Sequence, residues 1–386
     1  MRIGIDIRTL MDKQYSGVPL HNFNLLQELF KIDSKNDYRL YYNSFKDIGM
    51  PEFSEGNTLT VRGRYPNKIL NYILFKILGW PKIDLKLKTN AFLMPHINFI
   101  GLSDFKKRPV GQGQRVLVIH DLSFMRYKEF FSLRKKIWHY FINVKKLVRN
   151  FDVIVAVSEN TKRDIIKLCG VPEEKVKVIY PGLGREYRVL DKADVGLEKI
   201  KEKYALPDKF ILFLGTLEPR KNIEGTIRAY DALKKRGEIG EYQLIIAGGK
   251  GWKAKGIFKE YKNAEYKKDI GFLGYVPEED KVYLYNLASL FVFPSFYEGI
   301  GFPPLEAMAS GTPVITSFSS SLPEIVGGAG FMVDPYNTGD LIEAIRQILS
   351  DAPLREELIK KGLKKAAGFN WETAAKGYLA ILAGNP

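Results

Sequence analysis

Short runs of apolar residues recur along the chain and alternate with stretches whose apolar positions lie three or four residues apart. Short apolar runs predict buried β-strands, and the wider spacing predicts amphipathic helices. Strands that alternate with helices favour a parallel, doubly wound α/β sheet. The predicted strands are 3–7, 91–94, 116–119, 153–157 and 176–180 in the first half, and 210–214, 243–247, 270–273, 290–293 and 313–316 in the second.

The alternation of strands and helices begins afresh in the second half, which predicts two domains. The sequence Tyr180-Pro181-Gly182 and the charged, weakly periodic stretch after it are typical of an interdomain connection. We predict a first domain over 1–185, a linker over 186–204 and a second domain over 205–370. The last apolar pattern, over about 371–386, predicts a helix that packs back on the first domain.

Composition favours a globular, cytoplasmic protein. The chain is 45% hydrophobic and 27% charged, and its 386 residues suffice for two cores. Its one cysteine, Cys169, excludes an internal disulfide and a cysteine-based zinc site. The first residues alternate charged and aliphatic side chains, which favours a strand over a signal peptide. Since no 18 consecutive apolar residues occur, no transmembrane helix is expected.

The excess of positive over negative charge is confined to the first half. Residues 1–185 hold 32 basic and 17 acidic residues, whereas residues 186–386 hold 27 of each, so the net charge of +15 belongs to the first half. A one-sided excess of this kind indicates a surface for an anionic partner.

Two basic stretches of the first half are rich in large apolar residues, 68–80 and 134–149. Basic amphipathic helices of this kind bind anionic bilayers, which predicts attachment to the inner face of the cell membrane or an anionic, lipid-linked acceptor. The alternative is that 69–78 is a buried core helix with lysines at its solvated edge. Nucleic acid is not expected, because no recognised binding motif accompanies the charge.

A glycine-bearing loop follows the predicted strand 290–293 and leads into a helix. Gly299 and Gly301 allow close backbone approach, and Pro303 or Pro304 suits a first helical turn. The N–H groups and dipole of such a turn favour an anion, and loops at the carboxyl ends of parallel strands line ligand sites. The segment therefore predicts a phosphate-binding loop.

Two carboxylates bracket this loop, Glu298 before it and Glu306 one turn into the helix. A carboxylate can accept both hydrogens of a vicinal diol, which a ribose and a hexose each provide. The alternative is a pair of exposed acids on a loop and a helix. The strand and glycine context favours the ligand-binding interpretation.

A basic pair, Arg220 and Lys221, follows the first predicted strand of the second domain, after Gly215 and just before a helix. A planar guanidinium and a compact ammonium can hold different oxygens of a diphosphate leaving group. The alternative is a basic pair on a solvated loop. No divalent-metal motif is present in the sequence, and two fixed cations can replace a metal, so no metal and no other cofactor are expected.

These motifs resemble the retaining glycosyltransferases of family 4. The resemblance rests on the Glu298 to Glu306 segment and the continuation through 306–315 and 321–326. The stretch 215–222 is similar to the phosphate-binding loop of the mannosyltransferase-like group. The triplets that begin at His120, Val157 and Tyr180 are similar to the family's first-domain landmarks. The resemblance implies a GT-B fold, in which two Rossmann-like domains face each other across a cleft, the nucleotide sugar in the second and the acceptor in the first.

The resemblance also implies roles for individual residues. Glu298 would contact hydroxyls of the donor sugar, Glu306 the ribose, and Arg220 with Lys221 the diphosphate. His120 would reach the sugar from the first domain, although a histidine after a buried strand is often only a hydrogen-bonded core residue. The catalytic residues implied are Glu298, Lys221, Arg220 and His120. The donor-binding residues implied are Gly17, Gly215, Arg220, Lys221, Tyr275, Val276, Glu298, Gly301, Phe302, Pro303, Leu305 and Glu306.

The function implied is retaining transfer of a hexose, with mannose from GDP-mannose favoured, to a saccharide or lipid-linked saccharide in cell-surface polysaccharide synthesis. Two alternatives stay open: a transferase of the same fold that uses a UDP-sugar and moves glucosyl or N-acetylhexosaminyl groups, and a non-catalytic scaffold subunit at the membrane. A nicotinamide dehydrogenase is disfavoured, because neither 3–7 nor 210–214 is followed by a Gly-x-Gly-x-x-Gly turn.

Overall fold

The computed structural model describes residues 1–11, 17–46, 48–53, 55–104 and 113–384. These form two compact units. The first unit comprises Met1–Arg126, Leu133–Gly182 and Asn370–Pro386, of which 12–16, 47, 54, 105–112, 385 and 386 lie outside the described residues. The second unit comprises Tyr127–Ser132 and Leu183–Phe369.

The first unit is built on a parallel sheet of seven strands in the order β3-β2-β1-β4-β5-β6-β7. The strand order reverses between β1 and β4, as in doubly wound sheets, where ligands bind at such switch points. The strands are β1 (Arg2–Asp6), β2 (Asp37–Asn43), β3 (Asn57–Gly63), β4 (Ala91–Met94), β5 (Arg115–Ile119), β6 (Val153–Ala156) and β7 (Val176–Val178).

Helices connect these strands: α1 (Val18–Ile32), a π-helical segment (Ile69–Leu78), α2 (Ile83–Lys86), α3 (Ser123–Arg126), α4 (Leu133–Ile142), α5 (Val144–Leu147) and α6 (Glu159–Cys169). Ser158 caps α6, since its side chain accepts a hydrogen bond from the Thr161 amide. The apolar spacing of 133–148 predicts one helix, but the left-handed backbone of Asn143 (φ 51°) separates α4 from α5.

The second unit is built on a parallel sheet of six strands in the order β10-β9-β8-β11-β12-β13. The strands are β8 (Phe210–Leu214), β9 (Gln243–Ala247), β10 (Ile270–Gly274), β11 (Leu290–Phe293), β12 (Val314–Ser317) and β13 (Phe331–Val333). The helices are α7 (Val195–Lys203), α8 (Ile223–Lys235), α9 (Lys255–Asn263), α10 (Glu278–Leu287), α11 (Phe302–Ala309), α12 (Leu322–Val326), α13 (Thr338–Ser350) and α14 (Ala352–Ala366).

The last helix, α15 (Trp371–Leu382), belongs to the first unit and packs against α1. It begins at Asn370, whose side chain accepts hydrogen bonds from two amides of the first turn. A Cβ at Gly182 would lie 2.2 Å from the Trp371 nitrogen, so only glycine lets the chain pass the start of this helix. Among the described residues, no helix is long and apolar enough to cross a membrane.

The predicted fold class, two doubly wound parallel-sheet domains, is confirmed by the two sheets. The sequence missed three strands: β2, β3 and β13. Strand β3 lies at the sheet edge, and its side chains up to Arg62 are exposed or half-buried, so it lacks the apolar run of a buried strand. Strand β13 is apolar but has only three residues, which is shorter than the runs that predict strands. The segment expected as a linker, 186–204, contains α7, which packs against α10 within the second unit.

A buried ion pair between Asp84 and Arg115 ties α2 to β5 in the first unit. The Arg115 guanidinium donates to Asp84 Oδ2, and the Ser103 amide donates to Asp84 Oδ1 at 2.9 Å. Both charged side chains are at most 9% exposed. Because removal of one partner leaves the other charge buried, we expect Asp84→Asn to lower the free energy of unfolding of the first unit by about 3 kcal/mol.

Urea denaturation followed by circular dichroism measures this effect. The matched control is Asp208→Asn, which breaks an ion pair with Lys201. The Asp208 side chain is 85% exposed, so this variant is expected to unfold at the same urea concentration as the wild type. Equal midpoints for Asp84→Asn and the control would show that the buried pair contributes nothing.

Candidate active site

The predicted site residues of the second unit follow two neighbouring strands. Strand β8 leads into Arg220 and Lys221, and strand β11 leads into Glu298. The two strands pair at the point where the strand order reverses. The carboxyl ends of such strands form the ligand crevice of an open α/β sheet, so the topology itself brings the two loops together.

Glu298 holds both cations. Its Oε1 lies 2.7 Å from Lys221 Nζ, and its Oε2 lies 2.9 Å from Arg220 Nη1. Glu298 is 6% exposed and Lys221 7% exposed, so the pair is withdrawn from solvent. The Lys221 ammonium also lies 4.6 Å from the centre of the Phe293 ring. Arg220 Nη2 also lies 2.8 Å from the buried carboxylate of Glu218, so the desolvated cluster holds two cations and two carboxylates.

The charges of this cluster shift one another's ionisation. Burial alone would raise the pKa of Glu298, but Arg220 and Lys221 hold it below its usual value, so the carboxylate is ionised at neutral pH. Burial lowers the pKa of Lys221, although Glu298 opposes that shift. The ionisation of Lys221 is thus set by burial on one side and by the neighbouring carboxylates Glu298 and Glu218 on the other.

Arg220 is oriented by further bonds. Its Nη1 donates to the Tyr297 carbonyl at 2.7 Å, and its Nη2 donates to Glu218 Oε1 at 2.8 Å. The Phe296 amide donates to the Arg220 carbonyl at 2.9 Å, which joins the two loops through the backbone. The guanidinium is thus fixed before any ligand arrives, as electrostatic stabilisation of a leaving group requires.

The glycine-bearing loop between Glu298 and α11 is held by two serines. Ser320 accepts a hydrogen bond from the Glu298 amide at 2.8 Å, and Ser321 donates to the carbonyls of Glu298 and Ile300. Gly301 adopts φ 95°, and a Cβ there would lie 2.7 Å from a Leu322 methyl group. Glycine is required at this position on both counts.

Helix α11 starts directly after Gly301, and no side chain caps it. Phe302, Pro303 and Leu305 lie in its first turns, with proline where a missing N–H costs least. Such a start is suited to an anion, as the sequence predicted for this loop. Those three residues stay predicted donor contacts.

Glu306 lies on α11 in a different environment from Glu298. It is 4% exposed, and its Oε2 accepts a hydrogen bond from the Tyr285 hydroxyl at 2.7 Å. Burial raises the pKa of Glu306 to about 7, with Lys281 opposing and Glu278 adding to the shift. Near neutral pH this carboxyl therefore changes between a form that can donate and a form that only accepts hydrogen bonds.

The remaining predicted positions of the second unit line the ends of β8 and β10. Gly215 follows β8 and packs so tightly against Gly248 that a Cβ on Gly248 would lie 2.0 Å from the Gly215 carbonyl oxygen. The Gly248 amide donates to the Gly274 carbonyl at 2.7 Å, just before Tyr275 and Val276. Tyr275 is 47% exposed, whereas Val276 is buried.

His120 and Gly17 belong to the first unit. The His120 ring donates from Nε2 to the Pro95 carbonyl at 2.9 Å, and burial lowers the pKa of the ring, which leaves it neutral with Nδ1 as acceptor. The His21 ring lies edge-on to it, 4.6 Å away. Gly17 precedes α1 with φ 58°, a left-handed conformation that glycine adopts freely. Their roles stay predictions.

Sequence reasoning missed four residues that surround the predicted ones: Glu218, Glu278, Lys281 and Tyr285. Glu218 orients Arg220 and is nearly fully buried. Lys281 and Tyr285 lie four residues apart on α10, hence on one face of that helix, and both act on Glu306. The four-residue spacing of Lys281 and Tyr285 is present in the sequence, but no sequence signal indicates that their helix face contacts Glu306.

A metal site of three or more His, Cys, Asp or Glu side chains does not occur in the described parts of the chain.

Two family models match the chain. The model described as Glycosyltransferase Family 4 matches residues 17–186, and the model described as Glycosyl transferases group 1 matches residues 197–365. The O-antigen chain mannosyltransferase B of Escherichia coli is 34% identical over 258 residues, 67% of this chain and 67% of that protein. The serotype-specific mannosyltransferase WbdA of Escherichia coli is 33% identical over 272 residues, which cover 69% of this chain but 32% of that longer protein.

Solved structures agree in fold. Sucrose-phosphate synthase from Thermosynechococcus elongatus superposes with a TM-score of 0.73 over 98% of both chains, at 19% identity. At that identity the likeness shows the fold alone, and the fold is the GT-B fold.

Proposed function

Because this chain belongs to glycosyltransferase family 4, we propose that it is a retaining transferase that moves mannose from GDP-mannose to a saccharide acceptor. It is an enzyme of the glycosyltransferase class. The observation that carries the proposal is the buried cluster of Arg220, Lys221 and Glu298 at the switch point of the second sheet. This cluster combines fixed cations for a diphosphate with a carboxylate for sugar hydroxyls.

In the proposed reaction, negative charge develops on the leaving phosphate beside this cluster. The bond between the anomeric carbon and the β-phosphate oxygen breaks, and its electron pair stays on the phosphate, where Arg220 and Lys221 stabilise it. The sugar carbon gains oxocarbenium character. The acceptor oxygen bonds to that carbon from the same face, and its proton passes to the departing phosphate oxygen. No metal enters this proposal, because two fixed cations supply the stabilisation.

Mannose is favoured as the transferred sugar by relatives whose names specify mannosyl transfer. The acceptor we propose is a saccharide or lipid-linked saccharide of a cell-surface polysaccharide, since O-antigen is named for one of those relatives. Such acceptors are met at a membrane, and the basic first half of the chain supports work at the anionic inner face of the cell membrane. Nucleic acid is not part of the proposal.

Thermal shift with a panel of nucleotide sugars tests the donor. A ligand at a hundred times its dissociation constant stabilises a protein by about 2.7 kcal/mol, a shift of a few degrees. We expect GDP-mannose to raise the melting temperature more than UDP-glucose, UDP-N-acetylglucosamine or ADP-glucose. A larger shift with a UDP-sugar would show that the donor is that UDP-sugar and not GDP-mannose. If none of the four nucleotide sugars shifts the melting temperature, the alternative of a non-catalytic scaffold subunit is favoured.

The pH dependence of donor binding tests the role of Glu306. Only the ionised carboxylate offers two acceptor oxygens to the ribose diol, because protonation turns one of them into a donor, and the pKa of Glu306 is raised to about 7. We therefore expect GDP-mannose affinity to strengthen as pH rises from 6 towards 8 and to fall about tenfold per pH unit well below the pKa. The pyrophosphate diester of a nucleotide sugar does not titrate in this range, so isothermal calorimetry reports the protein group.

The control for this measurement is Glu306→Gln, which cannot titrate. It should bind the donor more weakly and with a flat pH profile. A wild-type profile that is equally flat, or a sloping profile retained by the variant, would remove Glu306 from the donor site.

A further inference from the structure

One face of the first unit exposes large apolar side chains in a regular pattern. On the π-helical segment, Ile69, Ile73 and Ile77 lie four residues apart and are 45%, 48% and 73% exposed. Leu70 and Phe75 of the same segment are buried in the core. The segment is therefore apolar on both sides, and its outer stripe lacks the polar side chains expected of a helix face in water.

Helix α4 repeats this pattern beside it. Leu133, Ile137 and Tyr140 are 73%, 46% and 80% exposed, at the spacing of one helical face. The two elements touch, since the rings of Tyr72 and Phe141 lie 5.7 Å apart, centre to centre. The six side chains Ile69, Ile73, Ile77, Leu133, Ile137 and Tyr140 are here called the apolar face. A cluster of this kind marks an interaction site, unlike single exposed residues.

Positive charge surrounds the apolar face. The stretches 64–88 and 133–149, which contain both elements, hold twelve lysines and arginines and one acid, Asp84. Asp84 is buried and paired with Arg115, so it does not offset the charge outside. Lys68, Lys76, Lys136 and Lys146 are among the exposed cations that flank the apolar side chains.

We propose that the apolar face docks on an anionic lipid bilayer, with its side chains inserted among the acyl chains and the flanking lysines at the headgroups. Apolar side chains beside a basic rim are the chemistry of an interfacial membrane segment. Basic residues near the surface add attraction to anionic lipids. A second copy of the chain docked face to face would juxtapose two sets of like charges, which disfavours a dimer through this face.

Aromatic side chains that flank the π-helical segment also suit contact with a bilayer. Trp80 follows the segment and is 51% exposed, and tryptophan and tyrosine are the side chains that prefer the membrane interface. The Tyr65 ring lies 6.0 Å from the Trp80 ring, centre to centre, and the Lys86 ammonium lies 5.8 Å from the centre of the Tyr65 ring. The inference rests on the proposed glycosyl transfer at a membrane and identifies the apolar face as the surface that contacts the bilayer.

Vesicle sedimentation with the full chain tests the proposal. We expect binding to vesicles of phosphatidylcholine with about one third phosphatidylglycerol to exceed binding to pure phosphatidylcholine about tenfold or more at low salt. The variant Ile73→Ser/Ile77→Ser/Tyr140→Ser should lose about tenfold or more in affinity for the anionic vesicles. Lys136→Gln/Lys145→Gln/Lys146→Gln should lose most of the preference for anionic lipid.

The matched control is Val195→Ser, which removes a side chain of the second unit that is 71% exposed and should bind as the wild type does. Equal melting temperatures confirm that the variants fold. Wild-type binding by the triple serine variant would overturn the proposal. So would equal binding to neutral and anionic vesicles, or a dimer in light scattering that the triple variant dissociates. The assay needs no nucleotide sugar, so its failure is distinct from a failure of the proposed transfer.

Discussion

Glu298→Gln is expected to lower the turnover of glycosyl transfer about a hundredfold or more. The carboxylate accepts from Lys221 at 2.7 Å and from Arg220 at 2.9 Å, so it fixes both cations that would face the leaving diphosphate. An amide of the same size keeps the shape but loses the charge and turns one acceptor into a donor. The proposed contact with hydroxyls of the donor sugar weakens for the same reason.

Steady-state kinetics with the donor and a saccharide acceptor measures this effect, and circular dichroism shows that the fold persists. The control is Glu343→Gln, an exposed acid of α13 paired with Arg346, which should retain full turnover. If Glu298→Gln keeps wild-type turnover, the carboxylate has no part in catalysis, and the ion-pair cluster is merely structural.

Lys221→Met should lower turnover about a hundred- to a thousandfold and weaken donor binding. The ammonium is almost fully buried and stacks over Phe293, so methionine can occupy its place with little change in packing. What is lost is one of two positive charges at the departing phosphate, where a desolvated charge contributes far more than in water. The loss should appear mainly in kcat, because the leaving group gains negative charge in the transition state.

The control for this variant is Lys201→Met, which removes a half-exposed ammonium of α7 that pairs with the exposed Asp208. Single-turnover kinetics with saturating donor separates binding from chemistry. A variant that binds GDP-mannose more weakly but reacts at the wild-type rate would limit Lys221 to binding. If Lys221→Met binds GDP-mannose and reacts as the wild type does, the diphosphate does not bind at Lys221.

Much of the fold was predictable because buried parallel strands leave an unmistakable pattern. Ala91–Met94 and Leu290–Phe293 are short, wholly apolar and fully buried, and their bounds are those the sequence predicted. Strand β3 was not predictable, because an edge strand whose side chains are mostly exposed or half-buried lacks that pattern. The break at Asn143 was also hidden, since it depends on one backbone conformation and not on a change of periodicity.

The candidate site was predictable as residues but not as contacts. The sequence singled out Arg220, Lys221 and Glu298 separately, and only the pairing of β8 with β11 shows that one carboxylate holds both cations. The Tyr285 hydroxyl on Glu306 could not be predicted, because it depends on how α10 packs against α11. The resemblance to family 4 is confirmed by the family models and relatives.

The two interpretations of 69–78 each describe part of that segment. The core-helix interpretation fits Leu70 and Phe75, which are buried, and the surface interpretation fits Ile73 and Ile77, which are exposed. Composition could not separate them, because a segment with apolar residues on both sides has no polar face to indicate its orientation.

The most direct test of the proposed function is proton NMR of GDP-mannose during incubation with the chain and a mannose-containing oligosaccharide. We expect the anomeric signal of GDP-mannose to disappear as GDP and a new α-linked mannosyl signal appear, so that the configuration of the donor is retained. A β-linked product, or an unchanged spectrum under conditions in which a UDP-sugar is consumed, would contradict retaining mannosyl transfer.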